Sequence, residues 1–362
     1  MHIVLDGFSA LDYWLSDLVP EHPIYLEGQP PLTSFDSLSC GQITEMMRRT
    51  GGSCEPLELL VLTKRERRNS AYVTCNAWGS STLPPRSICE IGDGVYTISP
   101  ELCLVRLASR VSRLELLRHA TDLLGIFSRS YVKRTDLVAR CPVMTKGSLA
   151  EYLSHAGHIS GTKILRRVLP WLRAHSASPR ETSMLLMLTL PTRVGGMGIS
   201  RFAANVHVPL SKEALLLTQK SYLVGDAVYL YDKENESDED KFGPILEYNS
   251  STNHDTEEQL EFDFEKITAL QRMGLTVIPV STRQFNSFAS FEQIVERVRE
   301  IIGQREKPQR GRKGIINIRR SVTHSELLAL ERQQRESTSL INTARWLFLL
   351  PWLHDWRDSS SF

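Results

Sequence analysis

Two short apolar runs constrain this chain more than any other feature. VGDAVYLY and PILEY each enclose one carboxylate, Asp226 and Glu247. A carboxylate inside an apolar strand is costly unless something answers its charge. A polar turn with His254 follows, then a charged helical pattern, a Gly, and a third apolar run, LTVIPV. Periodicity and turn residues predict strand, strand, helix, strand. Carboxylates on adjacent strands can converge on one divalent cation. A hard ion such as Mg2+ takes oxygen ligands and keeps waters for phosphate chemistry.

The flanking segments extend the pattern. Ser178-Pro179-Arg180-Glu181 reads as a helix start, with Ser at the N-cap, Pro at N1 and Glu at N3, ahead of TSMLLMLTL. Glu181 therefore has two readings, a cap and a carboxylate at the edge of a site. A glycine-rich turn, GGMG, precedes RFAANVHVPL, which reads as the first strand of the sheet. Between the two acid-bearing strands lies DKENESDEDKFG, an acidic segment expected to be a long loop. The helix expected from about Thr256 to Met273 carries Asp263 and Lys266 at i and i+3, a spacing that suits a surface ion pair. With FEQIVERVREIIG closing the segment, the expectation is an α/β sandwich, a mixed sheet flanked by helices.

Length allows several domains in 362 residues. With 43 basic and 42 acidic residues the chain is no polycation, so any basic surface must be local. The six cysteines lie in the first half and form no C-x-x-C pair, which argues against zinc and suits a cytoplasmic, reduced protein. No basic leader opens the chain and no long apolar run crosses a membrane.

The N-terminal region, 1–130, reads as separate α+β structure. LELLVLT and AYVTCNAW are strand-like, and the turn between them holds Lys64, Arg65, Glu66, Arg67 and Arg68. Residues 131–177 read as a helical, basic connector, with Lys163, Arg166, Arg167 and Arg173 spaced to share a helix face that could follow a phosphate backbone. From 305 to 362 the chain reads as a basic linker, including Arg310, Arg312, Lys313, Arg319 and Arg320, and then a short Trp-rich apolar helix suited to a protein partner.

The segment 178–304 resembles the PD-(D/E)XK nuclease superfamily, and more closely the small bacterial domains related to very-short-patch repair endonucleases. The resemblance rests on Asp226, Glu247-Tyr248-Asn249-Ser250, His254, Asp263 with Lys266, Gly274, and Val277 to Ser281. It implies a restriction-endonuclease-like fold and a DNA endonuclease that acts in defence or repair. It also implies Mg2+ or Mn2+ on Asp226 and Glu247, with His254, Lys266 and Glu181 as further catalytic residues. The superfamily places a Lys two residues after the second acid. That position is Asn249 here, so Lys266 would stand in from the helix. The block from Cys75 to Phe127 resembles N-terminal regions that accompany such domains, with a looser likeness to bacterial antitoxin-type regulators. The other expectation is thus a non-catalytic regulatory protein that binds nucleic acid or protein on a nuclease-like scaffold.

Overall fold

The computed structural model describes residues 2–27, 39–50, 56–79, 83–131, 133, 136–218, 220–231, 241–249, 257–303 and 319–333. They form two compact units. The first is Met1–Leu116, Phe127–Arg167 and Ala329–Phe362, and the second is Leu117–Ile126 and Val168–Leu328.

The first unit is built on a mixed six-stranded sheet. Its strands are β1 (Ile3–Leu5), β2 (Ile24–Tyr25), β3 (Leu57–Val61), β4 (Val73–Ala77), β5 (Ile88–Gly92) and β6 (Val95–Ile98), in the order β2-β5-β6-β1-β3-β4. β1 runs parallel to β6 and β3 parallel to β4, while the other pairs are antiparallel. β1 and β3 are buried along their whole length, which explains their apolar sequence, and the one carboxylate in β3, Glu58, is answered by Arg110. Helices α1 (Gly7–Leu15), α2 (Cys40–Thr50) and α3 (Pro100–Leu107) follow in chain order, and α1 packs on α3. Ser99 caps α3 by accepting from Leu102 N at 3.2 Å, with Pro100 at N1. Two bidentate pairs brace this unit. Arg106 grips the buried Asp6, and Arg110 grips Glu58.

α4 (Arg113–Leu123) begins in the first unit and ends in the second. The connector expected to be helical is only partly so. β7 (Phe127–Arg129) pairs with β8 (Leu137–Ala139) before α5 (Lys146–His155) and α6 (Thr162–Val168). A 3-10 turn at Leu169–Trp171 then breaks the helix, so Arg173 shares no helix face with Arg166 and Arg167. The Leu169-Pro170 step accounts for that break, because proline disfavours helical backbone in the residue before it.

In the second unit α7 (Pro179–Thr189) leads into a four-stranded sheet. Its strands are β9 (Phe202–Pro209), β10 (Tyr222–Leu230), β11 (Phe242–Asn249) and β12 (Val277–Ser281), in the order β12-β11-β10-β9. The first three strands form an antiparallel meander. α8 (Glu257–Arg272) then carries the chain over to β12, parallel to β11. Val208, Leu223, Val228, Ile245, Ala269, Leu270 and Val277 form the core beneath α8. α9 (Thr282–Asn286) and α10 (Phe288–Ile301) complete the order. A mixed sheet flanked by helices is therefore what the chain builds.

The tail departs from a simple linker. Residues 319–333 are helical, and Arg320, read as part of a basic arm, is 1% exposed, 4.0 Å from Glu292. The same helix supplies His324, whose Nε2 donates to Phe285 O at 2.6 Å and whose ring lies against Phe285 and Phe291. The apolar spacing that buries a helix face also buried the arginine within it. The acidic segment 232–240, Arg310, Arg312, Lys313 and the Trp-rich helix lie outside the described residues. No helix among the described residues is long and apolar enough to cross a membrane.

Candidate active site

Sheet register sets the site. Ala227 lies opposite Leu246 and Val228 opposite Ile245, and just beyond this register Asp226 and Glu247 come close enough for each charge to act on the other. The Asp226 carboxylate answers the neighbouring backbone there: Tyr248 N donates to Asp226 Oδ2 at 2.8 Å. Gly225 keeps the strands close at this point. A Cβ on it would lie 2.5 Å from Val228 Cγ2 and 3.0 Å from Ile245 Cγ2.

Strand alternation puts Glu247 on the same face as Ile245, toward α8. α8 responds with Lys266, whose Nζ donates to Glu247 Oε2 at 2.5 Å. Both side chains are largely buried, 15% and 8% exposed. The ion pair expected between Asp263 and Lys266 on the helix surface is thus replaced, for Lys266, by one that joins helix to sheet. The i, i+3 spacing is no obstacle to this, because α8 turns Lys266 inward.

Glu181 approaches from α7. Its Oε1 accepts from Ser178 Oγ at 3.0 Å, and its Oε2 accepts from Ala177 N at 2.8 Å and Asn205 Nδ2 at 2.9 Å. The expected reciprocal cap is therefore shifted by one residue, to the Ala177 amide. Asn205 sits in β9 beside Asp226, since Gly225 pairs with Val206 and Ala227 with Ala204. Its φ of +50° belongs to the left-handed region, which Asn tolerates better than most residues. Its Nδ2 also donates to His175 O at 2.8 Å, fixing the chain ahead of α7.

Three carboxylates, Glu247 buried and Asp226 and Glu181 half-buried, therefore share one locality. Burial is the main cause raising the pKa of each, and the Asp226 charge adds to it at Glu181 and Glu247. Glu247 is pushed up to about 7 despite Lys266, which acts in the opposite direction. At Asp226 the Lys266 charge and the Tyr248 amide oppose burial, while Asp263 reinforces it. Glu247 Oε1 is buried, and the Asp226 backbone N–H faces this carboxylate and works against the rise in its pKa. Among the described residues no group of three or more His, Cys, Asp and Glu side chains is arranged to hold a metal. Asp226 and Glu247 are the two carboxylates that a hard divalent cation would meet here.

The structure brings together Asp226, Glu247, Lys266 and Glu181 of the expected residues. His254 lies outside the described residues. Arg166 and Arg167 belong to the first unit and are exposed, and Arg166 Nη2 donates to Leu153 O at 2.5 Å and Gly157 O at 3.2 Å. Asn205 was missed by sequence reasoning. An Asn within the strand pattern FAANVHVP is its one visible signal. A comparison with models of protein families found no match, and neither did comparisons with curated proteins and with solved structures.

Proposed function

We propose that the second unit is a PD-(D/E)XK-type, Mg2+-dependent endonuclease that hydrolyses DNA phosphodiester bonds. The observation that carries this reading is the pair of interacting carboxylates, Asp226 and Glu247, on adjacent strands, with Lys266 bonded to Glu247. The element order α7-β9-β10-β11-α8-β12 supports it, because the resemblance places its acids, helix and strands in that succession. Mg2+ held by Asp226 and Glu247 would neutralise phosphate charge and lower the pKa of a bound water. Lys266 supplies the positive charge that Asn249 lacks, at the atom where the charge is needed. Glu181, fixed by Ser178, Ala177 and Asn205, adds negative charge beside Asp226 and so raises the local demand for a cation.

One observation favours a second reading. Lys266 already holds Glu247 Oε2 at 2.5 Å, as in a closed structural pair. A non-catalytic regulator that keeps the scaffold would need nothing more. Incubation of supercoiled plasmid and single-stranded DNA with the full chain and Mg2+ or Mn2+ separates the two. The nuclease reading expects cleavage that Asp226→Asn and Lys266→Met each abolish. Cleavage unchanged in both variants removes Asp226 and Lys266 from any active site, and no cleavage by the wild type with either metal selects the regulator.

A further inference from the structure

The connection between β3 and β4 poses a local problem. The two strands are parallel neighbours, yet only residues 62–72 join them. Parallel strands ordinarily need a longer crossover, most often a helix. Here a single 3-10 turn, Lys64–Glu66, does the work. The polar side chains of this loop are spent on holding it. Glu66 Oε2 accepts from Leu62 N at 2.9 Å and Thr63 N at 3.1 Å. Asn69 Oδ1 accepts from Cys75 N at 2.8 Å, and Ser70 Oγ accepts from Tyr72 N and Val73 N at 3.2 and 3.1 Å. Arg68 Nη1 donates to Arg65 O at 3.0 Å and Arg67 O at 3.1 Å.

Lys64, Arg65 and Arg67 are different. All three are exposed, and among the described residues no hydrogen bond or ion pair engages their side chains. The one carboxylate within reach along the loop, Glu66, is folded back onto backbone amides. The fold thus presents three like charges on a pinned loop, in a chain whose net charge is only +1. Like charges crowded in this way repel, and nothing in the packing requires them.

We propose that the β3–β4 loop is a docking surface for the phosphate backbone of duplex DNA, with Lys64, Arg65 and Arg67 as the contacting cations. A pinned loop loses little conformational freedom on binding, and each cation displaces condensed counterions from the duplex. That the polyanion is DNA rests on the nuclease reading of the second unit, whereas the cationic loop does not.

Fluorescence anisotropy of a labelled duplex of about 25 base pairs tests this, with the full chain in EDTA over a range of salt. Binding is read as the slope of log affinity against log salt, which changes by about 0.9 per phosphate contact. Neutralising Lys64→Gln, Arg65→Gln and Arg67→Gln together is expected to reduce that slope by about 2 to 3 and to weaken binding at least about ten-fold. Arg68 is left in place because it holds the loop. A second variant, Lys212→Gln with Arg272→Gln and Arg297→Gln, carries the same charge change on other exposed positions. An unchanged slope in the loop variant, an equal fall in both variants, or no binding by the wild type overturns the proposal. Tighter binding of an RNA duplex of the same sequence overturns the choice of DNA. The titration in EDTA reads the loop alone, and Mg2+ uptake is measured separately by calorimetry without EDTA. Loop-dependent binding with no uptake that depends on Glu247 leaves the loop standing and removes the nuclease, and uptake with an unchanged slope does the reverse.

Discussion

Glu247 carries a pH dependence whose sign follows from its surroundings. Burial first, and the Asp226 charge second, raise its folded pKa to about 7. An unfolded glutamate titrates near about 4.3. Between these values the folded chain binds more protons than the unfolded chain, so this group's stabilising contribution is full below the window and is lost as pH rises through it. Glu247→Gln removes that loss. Urea unfolding is expected to find the variant's stability, relative to wild type, about 1–3 kcal/mol higher at pH 8 than at pH 4, with the unanswered Lys266 charge weighing on the variant at both. Gly225 is a second point of tension. Gly225→Ala would press a methyl group against Val228 and Ile245 and is expected to lower stability by about 1–3 kcal/mol in the same unfolding assay. Asp226 and Glu247 were legible in the sequence because a carboxylate in an apolar run has few structural explanations. Asn205 was not, because its task arises only when β9 comes alongside Asp226 and α7 brings Glu181 to it.

At the level of elements, α8 is the part that turns a sheet with two acids into a charged site. Its Lys266 is a buried cation on a helix that otherwise packs Ala269 and Leu270 into the core. Removing one member of a buried pair leaves the other charge unanswered. Lys266→Met is therefore expected to lower stability at pH 8 by about 3 kcal/mol, measured by urea unfolding, and by much less at pH 4, where Glu247 is protonated in both forms. Glu247→Gln together with Lys266→Met should recover most of that loss, which a simple packing defect would not do. The order strand, strand, helix, strand was readable from periodicity, and so was the start of α7. The partner of Lys266 was not, because spacing along a helix reports neighbours on that helix and says nothing of the sheet beneath it. The hairpin of β7 and β8 was hidden for a related reason: three-residue strands carry too little alternation to stand out from a basic, mostly helical stretch.

The whole molecule joins segments that the sequence keeps far apart. The unit bearing the site includes Leu117–Ile126 as well as Val168–Leu328. A domain drawn from sequence at 178–304 omits the second half of α4 and residues 168–177 of that unit, and the helix at 319–333 that places His324 against Phe285 and Phe291. A fragment of 178–304 is expected to melt well below a fragment of 117–328, or to remain unfolded, when both are followed by circular dichroism. Equal melting temperatures would show that the outlying segments contribute nothing to the unit. Sequence periodicity finds elements and cannot find this kind of closure, which depends on contacts between distant parts of the chain.

The nuclease proposal rests on Asp226 and Glu247 together holding a divalent cation. Isothermal titration of Mg2+ and Mn2+ into the full chain, beside Glu247→Gln, tests it most directly, without and with a DNA duplex. The account predicts saturable binding by the wild type and its loss in the variant. No binding by either protein under both conditions, or equal binding by both, would contradict it.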